Sequence, residues 1–213
     1  MKFVMNIRAR MNPRESISEK HDSFIAALER LPDPFFFANF PPAPSIGTEL
    51  IAVVQLARYL KPKPRIRGRL IYSLRFDAAD KAMYDDHLTI EFDPQKVDFG
   101  RLATEIFPTY LRAFAAYQGE IGDIQLADKD FEEERKKNQR DCVYRIYPVS
   151  YMDRELCMRS FGFPPDEVIK RLKGHVLSVD KLNDGVAIVA KASPASIEES
   201  DQIQADVMRL LGR

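Results

Sequence analysis

The stretch with the densest set of groups that could do chemistry is YDDHLTIEFD, residues 84–93. Its acidic and imidazole side chains are Asp85, Asp86, His87, Glu91 and Asp93. If the stretch is a strand, alternation places His87, Glu91 and Asp93 on one face. There they could ligate a metal ion or exchange protons with a substrate. The favoured interpretation is plainer: a polar turn that leads into a strand whose outer face pairs with arginines.

A second candidate is a thiol nucleophile at Cys157, which would need a base such as His87 or His175. Its neighbours in RELCMRSF are apolar, and a cysteine in such a setting is typically a small buried apolar group. We interpret Cys157 and Cys142 as reduced thiols of a cytoplasmic protein. The sequence contains no phosphate-binding loop, dinucleotide fingerprint, nucleophile elbow or zinc-protease helix. We therefore predict no catalytic residue, no cofactor and no metal, with an uncharacterised enzyme as the weakest alternative.

The segment 58–75 is strongly basic and contains no acidic residue. Its cations are Arg58, Lys61, Lys63, Arg65, Arg67, Arg69 and Arg75, and Tyr59 and Tyr72 lie among them. Because Lys and Arg neutralise phosphates and aromatic rings stack on bases, a nucleic-acid or other anionic-ligand binding protein is one hypothesis. The net charge of +0 for the whole chain weighs against it.

Charge is segregated along the chain. Residues 1–75 hold 13 Lys or Arg against 6 Asp or Glu, a net charge of +7, which leaves −7 for the remainder. Such a split suits an anionic partner for the first part, or two parts that attract each other.

Alternation of apolar and polar residues predicts the strands that position these groups. They lie over 2–10, over 66–76 with 87–93 as its antiparallel partner, over 142–150, and in a hairpin within 175–190. In the 66–76 and 87–93 pair, arginines of one strand oppose acids of the next.

Helical spacing and capping signals predict the helices. They run from Ser16 to Leu31, from Thr48 through Leu60, over 99–118 with a kink at Pro108, over 128–141, 152–161 and 164–174, and from Ser196 to Leu210. GEIGD, residues 119–123, separates an apolar helix from highly charged sequence, so it is the best candidate for a subdomain boundary, with a simple loop as the alternative.

These elements predict an α+β fold with a mostly antiparallel sheet of about five or six strands and helices packed on one face. We expect a single domain over 1–213. One face of this sheet would be apolar and covered by helices. The other would carry arginines, at positions Arg8, Arg10, Arg67, Arg69 and Arg75.

The run DPFFFANFPPAPSIG, residues 33–47, is the most unusual in the chain. Aromatic residues are enriched at protein interfaces, and prolines hold a loop in a preformed shape. We predict that Phe35, Phe36, Phe37 and Phe40 are partly buried and partly available to a partner. These rings, together with Arg67, Arg69 and Arg75, form the predicted partner-binding set.

The C-terminal third resembles the closing segment of small bacterial proteins that are encoded beside polymorphic toxins as immunity proteins. The resemblance is carried by ELCMRSFGFPPDEVIKRL, LNDGVAIVA and SPASIEESDQIQADVMRLLG, and no diagnostic motif accompanies it. It implies a non-enzymatic protein that binds and neutralises a toxin, through complementary charge and a few aromatic anchors. We expect another protein as partner and leave a homo-oligomer open. We expect no membrane partner, because no run reaches the roughly 20 apolar residues of a membrane span, and a cytoplasmic location, because the start lacks the apolar stretch of a secretory signal.

Overall fold

The computed structural model describes residues 2–28, 31, 41–45, 51–59, 66–76, 80–134 and 136–213. Within these ranges the chain forms one eight-stranded antiparallel sheet, with helices packed against it. The strands are β1 (Phe3–Ala9), β2 (Ile51–Gln55), β3 (Arg67–Ser73), β4 (Asp86–Phe92), β5 (Gln118–Asp123), β6 (Val149–Met152), β7 (Ser178–Leu182) and β8 (Gly185–Val189). Their order across the sheet is β2-β3-β4-β1-β5-β6-β8-β7. The α+β class and the antiparallel sheet are confirmed, but the predicted count of strands is too low.

The helices lie between these strands and after the last of them. They are α1 (Ile17–Leu28), α2 (Phe99–Arg101), α3 (Phe107–Ala113), α4 (Ile124–Glu134), α5 (Arg154–Phe161), α6 (Pro165–Leu172) and α7 (Ile197–Leu210). A π-helical turn, Leu102–Ile106, joins α2 to α3 immediately before Pro108. Proline lacks an N–H, so a break of the regular hydrogen-bond ladder is expected at this point.

The first core lies under β1 and its neighbours. The side chains of Phe3, Met5, Ile7 and Ala9 are buried, as the alternation of β1 predicts. They pack with α1 and with the helical segment 99–113 in one cluster. The capping box predicted for α1 is present, because Ser16 N donates to Glu19 and Glu19 N donates to Ser16 Oγ at 3.1 Å.

The predicted pairing of β3 with β4 is confirmed. The two strands are antiparallel, with Arg67 opposite Glu91 and Arg69 opposite Thr89. Leu70, Leu88 and Ile90 are buried, as expected from their inward positions.

Strand β2 was not predicted, because its residues also fit a helix. Leu50, Val53, Val54, Ala57 and Leu60 have helical spacing, which favours a helix from Thr48 through Leu60. The structure instead has a strand over 51–55 followed by a 3-10 turn over 56–58. A short apolar run fits the period of a helix and that of a strand equally well. The strand forms because this segment pairs with β3.

Strand β5 was also missed, because its two glycines suggest a boundary or a loop. Segment 118–123 lies between β1 and β6 and pairs with both. A Cβ on Gly119 would come within 2.5 Å of Leu111, and one on Gly122 within 2.4 Å of the Tyr147 ring. These glycines therefore allow close packing of other side chains on a strand.

The second core lies on the other face of the sheet. On β6 and β8, Tyr151 and Val189 belong to the first core, whereas Met152 and Ile188 pack with the second. Helices α5, α6 and α7 cover this second core. The helices therefore cover opposite faces in the two halves of the sheet, which corrects the prediction that they pack on one face.

The second half confirms several predictions and corrects one. The predicted strand over 142–150 is wrong for most of its length, because the strand runs over Val149–Met152 and residues 142–148 are not in a strand. The hairpin of β7 and β8 turns at 183–184, and Gly162 ends α5 with a φ of 80°. Ser196 and Glu199 form the predicted capping box of α7.

Candidate functional site

The sheet face opposite the first core is polar on strands β1 to β4. We call it the open face and define it by Asn6, Arg8, Val53, Gln55, Arg67, Arg69, Ile71, His87, Thr89 and Glu91. The register aligns these side chains in rows across the strands: Arg8 with His87 and Ile71, and Asn6 with Thr89 and Arg69. Among the described helices, α4 is the one that lies beside this face.

Three guanidinium groups of the open face have no carboxylate partner among the residues that the structure describes. Within the described ranges, Arg8, Arg67 and Arg69 form no ion pair, although the carboxylate of Glu91 lies in the same groove. Arg67 and Arg69 are exposed, and Arg8 is half-buried. A guanidinium presents five donors in a planar fork that suits carboxylate or phosphate oxygens, so these groups are available to an anion.

His87 lies between two of these arginines. Its Nε2 is 3.2 Å from Arg8 Nη1, and because arginine can only donate, the imidazole nitrogen accepts. Burial lowers the pKa of His87 well below its usual value, and the positive charges of Arg8 and Arg69 lower it further. The imidazole is therefore neutral at physiological pH, and the positive charge beside it belongs to the arginines.

A groove of about 560 Å³ separates these strands from α4. Its strand side carries the polar groups of the open face, and its helix side carries Ala127, Asp128 and Phe131. Its walls are formed by regular elements, which hold side chains more precisely than loops do.

A second groove, of about 440 Å³, continues from the first past Arg8, His87 and Phe131. Met83 and Phe131 line it and are 72% and 47% exposed. Lys81 and Lys137 add positive charge to the same wall. The site thus combines cations with exposed apolar side chains. Sequence reasoning missed Met83 and Phe131, although an aromatic residue within the charged run DKDFEEER was a signal for Phe131.

Asp85 and Asp86 lie in separate ion clusters and line neither groove. Asp85 is buried, accepts a hydrogen bond from Tyr117 Oη at 2.6 Å and accepts another from Arg140 Nε at 2.8 Å. Asp93 accepts from Gln95 N at the start of a 3-10 turn. The structure therefore separates Asp85, Asp86 and Asp93 from His87, whereas Glu91 lines the same groove as His87. Among the described residues, no three His, Cys, Asp or Glu side chains are arranged to hold a metal ion.

Arg75 lies in the buried cluster around Asp86 and not on the open face. Its Nη1 and Nη2 donate to the two carboxylate oxygens at 2.7 and 3.0 Å. Lys20 Nζ lies 3.2 Å from the same carboxylate, and Ser73 N donates to it at 3.0 Å. Of the three arginines in the predicted partner-binding set, Arg67 and Arg69 therefore lie together at the site, while Arg75 joins α1 to the sheet.

Cys157 lies in the second core and is fully buried. Burial raises the pKa of its thiol to about 12, and the charges of Asp153 and Asp184 act in the same direction. Because the thiolate is the nucleophilic form, this thiol is unreactive at neutral pH. Cys157 is not in a disulfide bond.

The aromatic part of the nucleic-acid hypothesis is not supported at Tyr72. This ring is fully buried in the first core, and its hydroxyl lies 3.1 Å from His21 Nδ1. A buried ring cannot stack on a base. Residues 60–65 of the basic segment and the four phenylalanines, Phe35, Phe36, Phe37 and Phe40, lie outside the described residues.

None of the helices within the described ranges has the length and apolar character needed to cross a membrane.

Comparison with known proteins identifies a shared fold. No protein-family model matches the chain, and no curated protein matches it. Among solved structures, it is similar to the Pseudomonas aeruginosa T6SS protein PA0821, with a TM-score of 0.54 and 13% sequence identity. The similarity covers 99% of this chain and 72% of that chain. At this identity the likeness concerns the fold alone.

Proposed function

We propose that the protein is a non-enzymatic binding protein of the immunity type, which holds a toxin through its open face. The observation that carries the proposal is the set of three guanidiniums, on Arg8, Arg67 and Arg69, that have no carboxylate partner among the described residues. Unpaired charge beside exposed apolar side chains is typical of a surface that a protein partner covers.

The state of the candidate catalytic groups supports binding over catalysis. The thiol of Cys157 is buried and protonated, and the imidazole of His87 accepts from Arg8 instead of facing a nucleophile. A general base must lie within hydrogen-bond reach of the proton that it removes. The group within reach of this imidazole is the guanidinium of Arg8, which does not give up its proton.

The fold comparison is compatible with this role. The similar structure belongs to a T6SS protein, and the C-terminal segments resemble those of immunity proteins. The free thiol of Cys157 accords with the cytoplasmic location in which such a protein would act.

Co-expression tests the function directly. The protein is produced together with the product of each gene that lies next to its own, in cells that a toxic neighbour would kill. We expect growth to be restored by one pairing and the two proteins to co-purify. Continued killing in every pairing with a toxic product, without a complex, would contradict the proposal.

A variant separates binding from catalysis in the same assay. Cys157→Ala removes the thiol and should retain protection, since the thiol has no role in binding. If Cys157→Ala folds with an unchanged circular dichroism spectrum but loses protection, the non-enzymatic assignment is wrong.

A further inference from the structure

We propose that the open face binds a carboxylate from an acidic segment of the protein partner, between Arg8 and Arg69 and beside His87. A neighbouring apolar side chain of the same segment lies against Met83 and Phe131. The proposal rests on the proposed function and adds the chemistry of the partner to it.

Charge complementarity selects an acidic segment. The two connected grooves are lined by five cationic side chains and two carboxylates: Arg8, Arg67, Arg69, Lys81 and Lys137 against Glu91 and Asp128. Complementary charge steers association and favours the correct partner over others.

The sheet register places the two arginines on either side of one position. Arg8 is on β1 and Arg69 on β3, and the strand between them carries His87. From strand spacing and rise, their Cα atoms lie about 12 Å apart, a separation that two long side chains can bridge around one carboxylate. Arg8 Nη1 lies 3.2 Å from the imidazole Nε2, and Arg69 lines the same groove as His87.

The apolar walls favour a protein segment over a nucleic acid. Met83 and Phe131 are exposed beside the cations, so a residue next to the partner's acid can bury an apolar side chain there. The carboxylates of Glu91 and Asp128 would repel a continuous phosphate backbone along the first groove.

Short peptides test this chemistry without the natural partner. The probe peptide carries one glutamate and one phenylalanine two positions apart, within glycine and serine. In an extended chain this spacing puts both side chains on one face, about 7 Å apart. A matched peptide has glutamine in place of glutamate, and a single-stranded DNA oligonucleotide of similar length represents nucleic acid.

Binding is followed by NMR titration of the full chain at low salt. We expect the glutamate peptide to shift the side-chain resonances of Arg69 and His87. It should bind about tenfold more tightly than the glutamine peptide. Equal binding of the two peptides, or no shift at the open face, would overturn the proposal, and tighter binding of the oligonucleotide would replace it with a nucleic-acid site.

Two charge-reversal variants test whether the glutamate peptide binds at this site. Arg69→Glu should weaken binding of the glutamate peptide by about tenfold or more. Arg209→Glu, the same change at an exposed position of α7, should leave the affinity unchanged. Equal loss in both variants would mean that net charge and not the site governs binding. Thermal melts of both variants establish that each is folded.

The outcome is distinguishable from that of the co-expression assay. If the wild-type chain protects cells and Arg69→Glu protects equally well, the immunity function stands and the carboxylate site is refuted. If the peptide binds as expected but no neighbouring product is neutralised, the site stands and the immunity function fails.

Discussion

Replacing Arg75 by alanine should lower stability and leave partner binding intact. Arg75 was predicted to bind a partner, yet its side chain is only 10% exposed and that of Asp86 is fully buried. The guanidinium contacts both carboxylate oxygens and also donates to the carbonyl oxygens of Ser73 and Glu15, each at 3.0 Å. It therefore connects β3, β4 and the segment before α1.

The structure sets the size of the effect. Removing one partner of a buried ion pair costs about 3–5 kcal/mol, because the other charge stays buried without compensation. In Arg75→Ala the Asp86 carboxylate keeps Lys20 and the Ser73 N–H. We therefore expect about 3 kcal/mol, the lower end of that range. For a chain of this length the melting temperature should fall by roughly 6–12 °C.

Chemical denaturation provides the measurement, with Arg69→Ala as the matched control. Both variants remove one arginine from β3 or the residues after it, but Arg69 is exposed and has no described ion pair. Its loss should change the free energy of unfolding by less than about 0.5 kcal/mol. Equal midpoints for the two variants, at unchanged slope, would refute the role assigned to the Asp86 cluster.

A second substitution, at Asp86, tests the same cluster by changing the carboxylate that Arg75 and Lys20 both contact. Asp86→Asn removes the charge that two buried cations share, so it should cost more than Arg75→Ala, about 4–5 kcal/mol. An Asp86→Asn protein as stable as the wild type would show that Lys20 and Arg75 find other compensation.

Further outcomes follow from three residues, His87, Cys157 and Gly122. NMR titration should show a pKa below the usual 6.5 for His87, rising in Arg8→Ala because a neighbouring positive charge is removed; an unchanged value would contradict this. Since the unfolded chain then binds a proton that the folded protein excludes, this histidine should also reduce stability as the pH falls below 6.5. Cys157 should resist a thiol reagent at neutral pH until the protein unfolds, as peptide mass spectrometry would show, and rapid native labelling would disprove its burial. Gly122→Ala should destabilise by about 1–3 kcal/mol, because its Cβ meets an aromatic ring. At Gly100 an added Cβ would meet its nearest atoms at the ordinary contact distances of 3.6 and 3.7 Å, so Gly100→Ala should not destabilise. Equal thermal shifts for the two variants would refute the close-packing argument.

The strands and helices with a strong local period were predictable. Strand β1 shows strict alternation, and α1 and α7 carry capping boxes, so the local sequence specifies each. Strand β5 was not predictable in this way. Its glycines are explained by side chains outside the strand, those of Leu111 and Tyr147, which approach it only in the folded chain.

The candidate site was predictable in part for the same reason. Alternation alone placed Arg67 and Arg69 on the polar face. It could not separate them from Arg75, because the strand ends at Ser73 and the Arg75 side chain donates to Glu15 O, just before α1. The contribution of Phe131 depends on how α4 crosses the sheet, which no short-range pattern specifies.

The adjacent residues Asp85 and Asp86 have a consequence for how the molecule unfolds. Asp86 is bonded to Lys20 of α1, which packs on the first core, whereas Asp85 is bonded to Tyr117, which belongs to the second. Two consecutive residues at the start of β4 are therefore bonded to both cores, one to each. Separating either core from β4 would expose the buried carboxylates of Asp85 and Asp86. We therefore expect the amide hydrogens of the two cores to exchange with solvent as one cooperative unit.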